Sequence, residues 1–142
     1  MATVEEIVLT YAAAWAETDE GKRRALLEKS WAENGIYTDP TGEAVGREAL
    51  VHRIEGFHQQ RFPGHRILGT SGVDDHHGRL RFTWAVVSPE GRRVLEGVDF
   101  GEVGSDGRLI RITGFFGPPR PLPSSWPANL VLSKEQAHGE GN

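Results

Sequence analysis

The 142-residue sequence predicts an α+β domain, three helices packed on one face of a strongly curved, mostly antiparallel sheet. Two observations carry this. Apolar residues recur at helical spacing up to about position 60 and then at a period of two from 66 to 117. Turn signals of two or three residues separate the later segments, and connections that short force an antiparallel meander.

Each element has its own reason. Thr3 with Glu6 makes a capping box, and Val4, Ile7, Val8, Tyr11 and Trp15 then form one buried stripe on a first helix. Tyr11 points inward, so its hydroxyl needs a partner. A break at Thr18-Asp19 restarts a second helix over 20–31, rich in formers such as Ala25, Leu26 and Leu27, and Asn34-Gly35 ends it. A short strand at 36–39 stops at Pro40. Thr41-Gly42 then turns into a third helix over 47–60 with Leu50, Ile54 and Phe57 on its apolar face. Strands at 66–75, 79–88, 92–104 and 108–117 follow, joined at His77-Gly78, Pro89-Glu90-Gly91 and Ser105-Asp106-Gly107. From Pro118 the composition shifts to PPRPLPSSWP and a polar end. Residues 1–117 therefore read as the domain, and 118–142 as a Pro-rich arm and flexible tail anchored by Trp126 and Leu130.

Composition narrows the partners. Sixteen basic against twenty acidic residues leave a net charge of −4, which argues against nucleic acid or an anionic membrane. With no cysteine, disulfide frameworks, thiolate metal sites and cysteine nucleophiles are excluded. The start, MATVEEIVL, lacks the positive charge of a signal peptide, and no apolar run approaches the roughly 20 residues that cross a bilayer. The expectation is a soluble, cytoplasmic domain.

Asp99 is the most informative residue. Strand alternation puts it on one face with Leu95, Gly97, Gly101 and Val103, and a carboxyl there has its charged form disfavoured and its pKa raised. The ordinary readings are exposure, a backbone hydrogen bond, or pairing with Arg111, which would depress the pKa instead. The opposite face mixes Glu96 and Glu102 with Val94, Val98 and Phe100, so alternation alone does not say which face is interior. Asp39 ends its strand in an Asp-Pro-x-Gly turn, ordinary turn chemistry, with Tyr37 on the same face. The histidines lack metal-ligand spacing: His76 and His77 project to opposite sides of an extended chain, and His52 and His58 do not share a helix face. No metal is expected. Lys22-Arg23-Arg24 and Arg92-Arg93 read as solvated faces, and no serine stands in a G-x-S-x-G context.

The order of elements, the stretch from Ala32 through Asp39-Pro40-Thr41-Gly42 to Val45-Gly46-Arg47-Glu48-Ala49-Leu50, and the closing Gly97-Val98-Asp99, Asp106-Gly107-Arg108-Leu109-Ile110 and Phe115-Phe116-Gly117 resemble the SnoaL-like branch of the nuclear transport factor 2-like superfamily. The resemblance spans about residues 4–117. It implies a cone-shaped domain with a pocket between helices and sheet, and homodimers through the open sheet face. The superfold hosts enzymes, binding modules and scaffolds alike. Within it, the motifs are most similar to bacterial steroid Δ5-3-keto isomerases. That similarity implies Tyr11 as the catalytic tyrosine, Asp39 as the general base and Asp99 as a protonated oxyanion-hole acid. At the places of that family's supporting tyrosines stand Trp31 and Ile54. Ile112-Thr113-Gly114-Phe115-Phe116-Gly117 offers no late acid or histidine of the kind used by limonene-epoxide hydrolases or polyketide cyclases.

The resulting expectation is a cofactor-free isomerase moving a proton alpha to the carbonyl of a small apolar ketone, in a pocket walled by Trp31, Ile54, Phe82, Trp84, Phe115 and Phe116. The alternative is a non-catalytic module of the same fold that binds a small ligand or a protein. In either case a homodimer is expected to bury the uncovered sheet face, with Trp84 or Val86 nearby.

Overall fold

A computed structural model describes residues 2–138. Helix α1 (Val4–Ala16) opens with the expected capping box: the Glu6 amide donates to Thr3 Oγ1 at 3.1 Å and the Thr3 amide to Glu6 Oε1 at 2.8 Å. Its buried stripe is Ile7, Val8, Tyr11, Ala14 and Trp15. Helix α2 (Glu20–Ser30) is capped by Asp19, whose Oδ2 accepts from the Lys22 amide. Arg23 is buried rather than on a solvated face, because its guanidinium donates to the Glu17 and Thr18 carbonyls left open at the end of α1.

Strand β1 (Trp31–Asp39) starts directly at the end of α2, five residues earlier than the sequence suggests. Asn34-Gly35 does not end a helix but lies in an irregular part of this strand, between paired residues Trp31 and Ile36. A Cβ on Gly35 would stand 2.7 Å from the Trp31 indole, so the glycine serves close packing rather than a turn. A hairpin at Pro40-Thr41 leads into β2 (Gly42–Val45), a strand the sequence reading missed, paired Asp39 to Gly42. The third helix is shorter than expected. It runs as α3 (Arg47–Gly56) and widens into a π-turn (Phe57–Arg61).

The expected strand at 66–75 is two pieces, β3 (Arg66–Gly69) and β4 (Asp74–His76), both on β5 (Arg79–Val87). Between them the Thr83 amide of β5 donates to Ser71 Oγ instead of a backbone carbonyl, which breaks the ladder. His77 takes a left-handed φ of 52° in the following turn, and its Nδ1 comes within 3.0 Å of His76 Nδ1. The two rings therefore converge, where an extended chain would separate them.

Strands β5, β6 (Arg93–Val103) and β7 (Leu109–Phe116) form the antiparallel meander, and β1 joins β7 in parallel. The seven-stranded sheet has the order β2-β1-β7-β6-β5-β3, with β4 off this path. Helices pack against one face of it, and the main core lies between, from Leu27, Trp31, Leu50 and Ile54 to Leu109 and Ile112. Trp84 and Val86 are buried on the core side, so neither can line a contact on the outer face. Val94, Phe100 and Phe115 are the large apolar side chains that β6 and β7 expose most. Beyond β7 lie a 3-10 turn (Ala128–Leu130) and α4 (Lys134–His138). Trp126 and Leu130 are 53% and 71% exposed and lie outside the buried core cluster. The end of the tail, 139–142, falls outside the described residues.

Gly97 on β6 makes the inner face possible. It pairs with Trp84, whose indole lies across it, and a Cβ there would overlap the Trp84 ring and stand 2.7 Å from the Phe115 carbonyl oxygen. We expect Gly97→Ala to cost about 3 kcal/mol in chemical denaturation, since both ring and backbone would have to shift. A cost under about 1 kcal/mol would show that the indole relocates freely.

Candidate active site

The sheet's inner face, α1 and the π-turn line a cavity of about 170 Å³ that opens to solvent. Tyr11, Asp39 and Asp99 all line it, as do Phe82, Trp84 and Phe116. Three of the expected wall residues do not. Trp31 is fully buried behind Tyr11, ring stacked on ring at 5.5 Å, and Ile54 is fully buried in the core under α3. Phe115 is 55% exposed on the outer face, edge-on to Phe100. Consecutive strand residues cannot both face one cavity, so Phe116 inside requires Phe115 outside.

The two aspartates stand on β1 and β6 with β7 between them. Thr38 pairs with Thr113 and Asp99 with Gly114, so Gly114 lies between the carboxylates. A Cβ on Gly114 would sit 2.8 Å from Asp99 Oδ1 and 3.6 Å from Asp39 Cβ; the missing side chain is what leaves room for both acids.

Their environments differ. Asp39 Oδ1 accepts from the Thr41 amide and hydroxyl, each at 2.7 Å, and from Arg53 Nη2 at 2.8 Å. Among the described residues, Oδ2 accepts only from the Tyr37 hydroxyl, at 2.7 Å. Burial alone would raise this carboxyl, but the bonds from Tyr37, Thr41 and Arg53 outweigh it and hold Asp39 below the usual carboxylate range. Asp39 is therefore ionised, and Oδ2 is the oxygen with spare acceptor capacity. The Asp-Pro-x-Gly turn is real chemistry too, since the Thr41 bonds to Oδ1 are that turn.

Asp99 goes the other way. Burial pushes its carboxyl up to about 7, the Trp84 hydrogen bond opposes the rise, and the negative charge of Asp39 adds to it. Trp84 Nε1 donates to Asp99 Oδ1 at 3.0 Å, while Arg111, the pairing that would have reversed the shift, is exposed. An indole N–H can only donate, so Oδ1 is the acceptor and the proton of the neutral acid belongs on Oδ2. The alternation reading of β6 thus resolves with Asp99, Gly97 and Gly101 on the interior face.

Tyr11 completes the group. Its hydroxyl is buried with no hydrogen-bond partner among the described residues, and burial followed by the charge of Asp99 raises its pKa well above the ordinary phenol value. Tyr37 is raised likewise, by burial first and then by Asp99. Tyr11 and, below about pH 7, the protonated Asp99 as donors, with the ionised Asp39 as acceptor, thus face one largely apolar cavity. That is the arrangement needed to stabilise a developing oxyanion while a proton is taken from carbon.

Sequence reading missed Arg53 and the part played by Trp84. Arg53 lies on α3 one turn beyond Leu50, at the edge of the buried face, and it reaches Asp39 because the β1-β2 hairpin packs against the helix. The indole of Trp84 reaches Asp99 only in the observed β5-β6 register.

The sequence model of the SnoaL-like domain matches residues 8–112. No curated protein matches the chain. Among solved structures, a SnoaL-like family protein of Agrobacterium tumefaciens, proposed to be an isomerase, is 36% identical with a TM-score of 0.76, over 82% of this chain and 100% of that one. A protein of ketosteroid isomerase-like fold from Catenulispora acidiphila, in complex with trimethylamine, is 16% identical with a TM-score of 0.62, covering 79% and 85%. A proposed SnoaL-like polyketide cyclase of Jannaschia sp. CCS1 is 16% identical with a TM-score of 0.61, covering 82% and 89%. At 16% identity the last two share the fold, and sequence and structure together place this chain in the SnoaL-like domain family.

Proposed function

We propose that the protein is a cofactor-free isomerase that shifts a proton alpha to the carbonyl of a small, largely apolar ketone. The observation that carries this is the opposed state of the two aspartates: Asp39 ionised among four donors, Asp99 driven towards its neutral form by burial. In the first half-reaction the Cα–H bond breaks and its proton passes to Asp39 Oδ2. The electron pair moves onto the carbonyl oxygen, which accepts hydrogen bonds from Tyr11 and from Asp99. In the second half-reaction, with a β,γ-unsaturated ketone as substrate, the dienolate collapses and Asp39 Oδ2 returns the proton to Cγ, which leaves the double bond conjugated with the carbonyl. Because its ionised form is already favoured, Asp39 is a modest base, and the two donors must supply most of the acidification of the substrate. The isomerase proposed for the Agrobacterium relative agrees with this reading.

The saturation of Asp39 Oδ1 by Thr41 and Arg53 favours a second reading, a carboxylate that pins the hairpin to α3 in a cavity that only binds its ligand. In both readings a second copy covers the outer sheet face around Phe100 and Phe115.

Proton exchange separates the two. Small apolar ketones such as 2-acetylnaphthalene, incubated with the protein in deuterated water, are expected to lose their α-proton NMR signals at least about a hundredfold faster than in buffer. Ketones that shift the Trp84 indole resonance yet exchange no faster than in buffer would leave the binding reading alone standing.

A further inference from the structure

The cavity is polar at its inner end, but one further charge lines it. Besides Asp39 and Asp99, the charged lining residue is Arg61, the last residue of the π-turn. It is exposed at the mouth, among Leu9 and Leu68, which are 61% and 40% exposed. Its guanidinium carbon lies 5.9 Å from the centroid of the Phe62 ring, also a lining residue, and this cation–π contact keeps the charge beside the opening. Among the described residues no carboxylate lies within ion-pair distance of Arg61, and no side-chain hydrogen bond engages it. Most basic side chains of the chain lack an acidic partner, so the mark of Arg61 is its place: among the described residues it is the one cation that lines this cavity.

An exposed arginine is ordinarily just solvated, with its stem on apolar surface. Three things set Arg61 apart: it lines the cavity, an aromatic ring of the same wall holds it there, and the carboxylate nearest the inner end is already occupied. Asp39 is neutralised by Arg53, so Arg61 is not needed to balance the site. Its planar fork matches a carboxylate in particular.

We infer that the ligand of this cavity is a keto acid: an apolar body with its carbonyl at the Tyr11, Asp39 and Asp99 end and a carboxylate at the mouth, held by Arg61. The inference rests on the proposed reading for the position of the carbonyl and adds to it the charge of the substrate. Arg61 is thereby a specificity-determining residue that never touches the reacting atoms.

A matched pair of compounds tests this without any turnover. 2-Acetylnaphthalene and 6-acetyl-2-naphthoate share the ring and the ketone, and differ in a carboxylate at the far end. Each is titrated into the full chain while the Trp84 indole N–H resonance is followed by NMR. The acid is expected to bind about fivefold more tightly than the neutral ketone, an advantage in the range of partly exposed ion pairs that shrinks as salt is raised. In Arg61→Gln the advantage is expected to vanish while the affinity for the neutral ketone moves less than about twofold, and Arg61→Lys is expected to keep part of it. Equal affinities in the unmodified protein, an advantage that survives Arg61→Gln, or a Trp84 resonance that neither compound moves would overturn the inference. Failure of α-proton exchange with these titrations intact would instead remove the isomerase reading and leave the ligand's charge assigned.

Discussion

Replacing Asp39 with asparagine is expected to lower turnover about a thousandfold, the usual weight of a positioned general base, while the domain stays folded. Asparagine keeps an acceptor oxygen for the Thr41 amide and for Arg53, so the hairpin remains tied to α3. What it removes is the negative charge opposite Arg53, whose side chain is only 17% exposed. A charge that loses its partner in a partly buried place costs about 2 kcal/mol, well inside the stability of a domain this size. Activity loss must therefore be separated from that cost. Thr41→Ala does so: it deletes one of the donors to Oδ1 but leaves the carboxylate, Arg53 and the Tyr37 bond to Oδ2 in place. It is expected to lose about 1 kcal/mol and to keep turnover within about tenfold. Steady-state kinetics and urea denaturation on both variants decide the point. If Asp39→Asn stays within tenfold of the unmodified protein, Asp39 is a structural pin and the proton goes elsewhere.

The features legible in the sequence were those set by local periodicity. The Thr3–Glu6 cap, the stripe from Ile7 to Trp15 and the meander all follow from spacing within one element, and they stand where spacing puts them. Asp99 belongs to this group, since its companions Gly97 and Gly101 lie two residues away on the same strand. Features set by contact between elements were not legible. Asn34-Gly35 carries a turn signature, yet the Trp31 ring occupies the space a side chain at Gly35 would need, and the chain stays extended. Nothing within residues 47–60 marks the π-turn at Phe57, where one amide is shared between the Arg53 and Ile54 carbonyls. Arg53 and Asp39 are fourteen positions apart and meet only through the hairpin. The error at Phe115 is of a different kind. Two adjacent aromatics at the end of β7 both looked like wall, although parity along that strand, with Ile112 and Gly114 buried, admits only Phe116.

The protonation of Asp99 has the largest expected effect on stability, and its sign is fixed by the direction of the shift. The folded carboxyl is pushed up to about 7, above the roughly 3.9 of an unfolded aspartate. Between those values the folded chain holds a proton that the unfolded chain has released, so stability falls as pH rises. The contribution is fully present below about pH 4 and gone once pH has passed through the folded value. A gap of that size corresponds to about 4 kcal/mol across the window. Asparagine at this position mimics the neutral acid, accepting from Trp84 Nε1 with its oxygen and donating with its amide, and it does not titrate. Asp99→Asn is therefore expected to gain up to about 4 kcal/mol relative to the unmodified protein between pH 4 and pH 8, measured by urea denaturation at each pH. It should also retain part of any turnover. Asp99→Leu should lose more, because it offers no donor to the oxyanion and leaves the Trp84 indole without an acceptor. Turnover of the unmodified protein should decline above about pH 7, as the donor becomes a carboxylate beside Asp39, and that alkaline limb should be absent in Asp99→Asn. Carbon-detected NMR titration of the Asp99 carboxyl reads the group directly. A midpoint below 4 would mean that the acid is ionised throughout the working range, and a carboxylate beside a developing enolate would raise the barrier it is proposed to lower.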